Sequence, residues 1–176
     1  MTEDLAARPG DAPVVERIAE ASLEDVWAVL ADGWLYPLWV VGAARIRDVD
    51  DGWPLVGSRL HHSFGIWPLL LDDTTEVMSV DEGRHLELRA RGWPLGEAHV
   101  RLELTELGPH RTRVRLAETA VRGPGALLPT VVEAPPVRWR NREALRRLAL
   151  LAEGRGAMTR HSTTTPHSTT RPRSTR

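Results

Sequence analysis

The segment 97–120, EAHVRLELTELGPHRTRVRLAETA, decides the fold. From Glu97 to Leu107 one phase holds Ala98, Val100, Leu102 and Leu104, and the other holds His99, Arg101, Glu103 and Thr105. Gly108-Pro109 turns the chain, and Arg111 to Ala120 resumes the alternation with Val114 and Leu116 against Arg113 and Arg115. A strict period of two puts successive side chains on opposite faces, so each run is a strand with one buried and one solvated face. Two such runs joined by a turn make an antiparallel pair.

The same pattern extends upstream. Arg84 to Arg91 sets Leu86, Leu88 and Ala90 against Glu87, Arg89 and Arg91. Asp73 to Val80, Ser58 to Phe64 and Ala43 to Val49 are further strands, punctuated by Asp81-Glu82-Gly83 and Asp50-Asp51-Gly52. Three Trp-Pro pairs, at 53–54, 67–68 and 93–94, mark turns between strands. Val14 to Ala19 is a first strand. Ser22 then caps a helix, with Asp25 in the reciprocal position and Leu23, Val26, Trp27 and Leu30 on one face. Asp32-Gly33 stops that helix, and Trp34 to Gly42 is a short apolar stretch read as a small helix or turn.

Downstream, Gly123-Pro124-Gly125 breaks the sheet, and Ala126 to Ala134 is open to a helical reading. Pro135-Pro136 is expected to kink or restart the helix. Val137 to Glu153 is a helix whose apolar stripe is Val137, Ala144, Leu145, Leu148, Leu151 and Ala152, with Gly154 as its stop. From Arg155 onward the Ser, Thr, Arg, His and Pro residues form no apolar face, which predicts a disordered tail. The expected organisation is a flexible 1–12, a domain over 13–154 and a tail over 155–176. The fold class is α+β: a curved antiparallel sheet around a long C-terminal helix, with a cavity between them.

Composition narrows the chemistry. With 176 residues the chain suits one domain, large enough to bury roughly two-thirds of its unfolded surface without a staple. There is no Cys, so thiol nucleophiles, disulfides and thiolate metal sites are excluded. All 23 basic residues are Arg, which excludes a lysine Schiff base. The net charge of -1 provides no basic field for nucleic acid. The polar N-terminus lacks the features of a signal peptide, and no apolar run is long enough to span a bilayer, so a cytoplasmic protein is expected. No HExxH, GxSxG, P-loop or GxGxxG is present, and no metal or cofactor is expected.

Several local segments carry a resemblance: Ala21-Ser22-Leu23-Glu24-Asp25-Val26-Trp27, Trp39-Val40-Val41-Gly42, Val56-Gly57-Ser58-Arg59, Glu118 ending the last strand, and 140–145 in the last helix. With the element order, they make residues 14–153 similar to the START-like helix-grip superfamily (SRPBCC), in particular its bacterial polyketide cyclase/dehydrase and lipid-transport group. The resemblance implies an apolar pocket between helix and sheet for a lipid, sterol or polyketide, and brings no shared catalytic triad. Inward residues Leu88, Val100, Leu102 and Leu145 would then line that pocket.

Polar residues on inward phases are the candidates for chemistry. Glu118 is in phase with Val114 and Leu116. A desolvated carboxylate there has a raised pKa and serves as acid or base, whereas a paired one is structural. Asn141 lies on the helix stripe, to bond a ligand carbonyl or a neighbouring loop. His61 and His62 face opposite sides and cannot chelate together; His62 shares the inward phase of Leu60 and is the neutral-range base available. His85 and His99 share phase with charged residues. Tyr36 and Trp39 belong to a segment that is mouth, lid or core. Arg138, Arg140, Arg142, Arg146 and Arg147 read as a solvated helix face.

Three readings follow. The favoured one is a binder of a small hydrophobic molecule. The second is a cyclase or dehydratase with His62 or Glu118 as base and Asn141 polarising a carbonyl. The third is an interaction module acting through the Arg-rich helix or the tail. A homodimer is compatible with all three.

Overall fold

The computed structural model describes residues 14–66, 69–92, 96–122 and 130–163. Seven strands form one sheet: β1 (Val14–Ala19), β2 (Ala43–Val49), β3 (Arg59–Ile66), β4 (Leu69–Asp81), β5 (His85–Gly92), β6 (Gly96–Gly108) and β7 (Arg111–Arg122). Three α-helices accompany them: α1 (Leu23–Leu30), α2 (Tyr36–Trp39) and α3 (Thr130–Thr163). The strand order is β1-β7-β6-β5-β4-β3-β2, with every neighbouring pair antiparallel. The chain therefore meanders from β2 to β7, and β1 closes beside the last strand.

The helices sit where the sequence chemistry puts them. The Ser22 hydroxyl accepts from the Asp25 N–H at 3.1 Å and donates to the Asp25 carboxylate at 2.7 Å, capping α1. That helix buries Val26, Val29 and Leu30. Asp32 caps a single 3-10 turn, Gly33–Leu35, which leads into α2. Gly42, at φ +100°, then lets the backbone pass the Phe64 ring, which a Cβ would strike. A register shift between Val77 and Ser79 bends β4 and adds to the curvature of the sheet.

Two faces result. The outer face is laced by ion pairs such as Glu76 with Arg59 at 3.2 Å and with Arg89 at 3.0 Å. Exposed pairs of this kind contribute at most about 1 kcal/mol each. The inner face and α3 share one core, with Leu60, Leu86, Leu102, Leu145 and Leu148 all fully buried.

The end of α3 differs from expectation. The expected stop at Gly154 does not occur, and the helix continues to Thr163, so residues 155–163 are helical rather than the start of a tail. Gly stops a helix when it takes a left-handed φ, and Gly154 is not among the glycines that do. In a helix interior it costs about 1 kcal/mol relative to Ala, too little to end the helix alone. The helix also runs through Pro135 and Pro136 without a break, where a kink or restart was expected. The expected flexible N-terminus, the Trp-Pro turns at 67–68 and 93–94, the helical reading of 126–129 and the tail beyond 163 lie outside the described residues.

Candidate functional site in the small-residue half of the inner face

The inner face changes character from one end to the other. Leu86, Leu102, Leu116 and Val15 form one cross-strand row, exposed by no more than 5%. In the next row, Val77, Leu88, Val100 and Glu118, the first two are fully buried and the last two partly exposed. The third row is Thr75, Ala90, Ala98 and Ala120. Its three alanines are half-buried although they face inward. Small side chains stand there in place of the leucines found two rows away.

A polar group borders this half. His62 on β3 lies directly opposite Asp73 on β4, so both share the face that carries Leu60 and Thr75. The Thr75 hydroxyl stands 3.0 Å from His62 Nε2 and 3.1 Å from the Tyr36 hydroxyl. The rings of Tyr36 and His62 are 5.3 Å apart. From above, Arg140 of α3 donates to both carboxylate oxygens of Glu118 on β7. Asn141, the next residue of α3, is 3% exposed. Its Nδ2 and the Nδ1 of His62 are buried without a hydrogen-bond partner among the described residues. Buried polar atoms are usually paired, so each of these orphans marks a place where a partner belongs.

Electrostatics sharpen this. Burial pushes the Tyr36 hydroxyl up to about 12; the hydrogen bond from Thr75 opposes this, Asp73 and Glu118 add to it, and Arg140 opposes it. The phenol thus feels both Asp73 and the Glu118–Arg140 pair. Burial lowers His62 to about 4, with the charges of Arg47 and His61 adding to the effect. The imidazole is therefore neutral near pH 7, one nitrogen a donor and the other an acceptor. Burial also raises the Asp73 carboxyl above its ordinary range, against the Thr74 N–H and the positive charge of Arg91.

The sequence candidates divide accordingly. His62 and Tyr36 come together through Thr75, while Asn141 is buried on α3 with its Nδ2 unpaired among the described residues. Glu118 faces inward as its phase predicts and is paired with Arg140. Trp39 packs edge-to-face on Tyr36 within the core, at 5.4 Å between centroids. Leu88, Leu102 and Leu145 lie in the closed core, while Val100 stands at its border with the alanine row. Arg140 departs from the solvated helix face, turning in to Glu118. Arg146 and Arg147 stay on that face, holding Glu143 at 3.0 and 2.9 Å. Sequence reasoning missed Asp73 and Thr75. The available signal was that both share phase with Val77 and that His62 belongs to the neighbouring strand.

The chain matches the family described as polyketide cyclase / dehydrase and lipid transport over residues 14–153. No curated protein is significantly similar to it. Among solved structures, a Nitrosomonas europaea protein superposes with a TM-score of 0.66 at 15% identity, covering 86% of this chain and 99% of its own. A Mesorhizobium loti protein gives 0.58 at 20% identity, covering 80% of this chain and 96% of its own. DynU16, a protein of the dynemicin biosynthetic locus, gives 0.61 at 21% identity, covering 84% of this chain and 49% of its own. These likenesses show the START-like helix-grip fold. The chain belongs to the polyketide cyclase/dehydrase and lipid-transport family.

Proposed function

We propose that this protein binds a small, largely hydrophobic molecule between α3 and the alanine row of the inner face. The observation that carries this reading is the change along that face, from fully buried leucines to half-buried Ala90, Ala98 and Ala120 beside the buried cluster of His62, Thr75 and Tyr36, together with the orphaned nitrogens of His62 and Asn141. A mostly apolar wall with a few convergent polar groups is the usual make-up of a small-molecule site. The family's description, which includes lipid transport, agrees with it. No helix among the described residues is long and apolar enough to cross a membrane.

A catalytic reading has weaker support. A general base works best with a pKa near the operating pH, and His62, at about 4, is a poor proton acceptor. Glu118 has both oxygens engaged by Arg140. Neither candidate base is poised for proton abstraction in this arrangement.

Native mass spectrometry of freshly purified protein, beside a denatured control, tests the binding reading. The expected result is a bound mass of a few hundred daltons, or saturable uptake of the neutral dye N-phenylnaphthylamine if the protein purifies empty. A clean apo mass together with no dye uptake would contradict it.

A further inference from the structure

The polar end of the proposed site has a sign, and this inference rests on the binding reading above. Two inward carboxylates, Asp73 and Glu118, act on the Tyr36 hydroxyl together with one cation, Arg140. Arg140 is committed to Glu118. Among the described residues no cation forms an ion pair with Asp73, whose Oδ1 accepts only the N–H of its neighbour Thr74, at 2.7 Å. Arg91 acts on Asp73 at a distance and pairs with Glu97 at 3.8 Å. Arg47 reaches only the backbone oxygens of His62 and Asp73, both at 3.5 Å, and its ion pair is with Asp72. Asp73 thus stands on the inner face, 8% exposed, with carboxylate acceptor capacity unused. On the α3 side, the orphaned Nδ2 of Asn141 is a pure donor.

We infer that Asp73 and Asn141 select a neutral ligand that offers a hydrogen-bond donor to the first and an acceptor to the second, and that they refuse carboxylates. A fatty acid would bring a second uncompensated anion beside Asp73 in a poorly solvated site, where like charges repel strongly. A hydroxyl gives Asp73 the charge-assisted bond it lacks, and a carbonyl satisfies Asn141. The neutral His62 is compatible with either group.

The test is isothermal titration, at about pH 8, of four probes sharing one ring system: a hydroxyacetylnaphthalene, its O-methyl ether, the naphthol without the acetyl group, and the matching hydroxynaphthoate, which is ionised there. The expected order places the hydroxy ketone at least about tenfold tighter than both its ether and the naphthoate, the scale of one charge-assisted hydrogen bond. Asp73→Asn, which preserves shape, brings the ketone and naphthoate to within about threefold of each other. Asn141→Leu weakens the hydroxy ketone about tenfold and leaves the probe without an acetyl group unchanged, with the urea midpoint recorded as a folding control. Equal affinities for ketone and naphthoate in the wild type, or a ratio that Asp73→Asn does not move, would overturn the selection while leaving a hydrophobic site in place. Failure of all four probes, neutral and anionic, to bind would overturn both the site and the selection.

Discussion

The two halves of the inner face are built on the same three strands, yet they do opposite things. Across β5, β6 and β7, Leu86, Leu102 and Leu116 meet in register and disappear from solvent. Four residues further along each strand, Ala90, Ala98 and Ala120 meet in register and do not. Both sets face inward, so strand geometry does not separate them. Side-chain volume does, together with the replacement of aliphatic neighbours by His62, Asp73, Thr75 and Glu118. One half stabilises the fold by burial, and the other gives up burial and holds a polar array in which burial lowers the pKa of His62 and raises that of Asp73. Such a division is how a small domain keeps a site without losing its core.

The contrast breaks most visibly in the closed half. Leu148→Ala removes a fully buried side chain from α3 and is expected to destabilise the fold by about 2–5 kcal/mol, read from urea unfolding at constant slope. A loss below about 1 kcal/mol would mean that the leucine half is not the packed one.

Acid titration comes next. The folded pKa of His62 is depressed from 6.5 to about 4, so the unfolded chain binds a proton more readily throughout that window. Stability is then fully present above pH 6.5 and falls as pH drops toward about 4, by about 3 kcal/mol from this group. Comparing urea midpoints across that window in wild type and His62→Gln should show a visibly shallower decline in the variant. Parallel curves would place His62 outside the buried array.

A smaller effect belongs to the link across the boundary. Glu118→Gln keeps the shape and removes the charge that Arg140 grips. With Arg140 about one-third exposed, at 33%, the expected loss is about 1 kcal/mol. A thermal melt showing several times that loss would make the pair a principal anchor of α3 on the sheet. The smallest change in stability is expected in the open half. Ala120→Val enlarges a side chain that is only half-buried, and should leave the unfolding free energy within about 0.5 kcal/mol.

Much of this fold could be read in advance, because alternation is unambiguous where apolar and charged residues take turns, as from Glu97 to Ala120. The cap at Ser22 and the turn at Asp50-Asp51-Gly52 also carry their own chemistry. The site was legible only in part. His62, Glu118 and Asn141 stand out as polar residues on otherwise apolar phases. Asp73 and Thr75 do not, because Asp72-Asp73-Thr74-Thr75 is polar in both phases and only pairing with β3 shows which pair turns inward. Likewise, Leu102 and Ala98 share one face of one strand, and only the cross-strand register shows that Ala98 lines up with two further alanines. The end of α3 failed to show for a backbone reason: a glycine signals a stop only through its φ, which residue type alone does not reveal.

The most direct test replaces Ala98 by Trp and measures both N-phenylnaphthylamine binding and unfolding free energy on the same preparation. If the alanine half is the ligand's place, binding falls by tenfold or more while stability stays within about 1 kcal/mol of wild type. Undiminished binding, or a loss of several kcal/mol from overpacking, would show that this half is either not the site or already full.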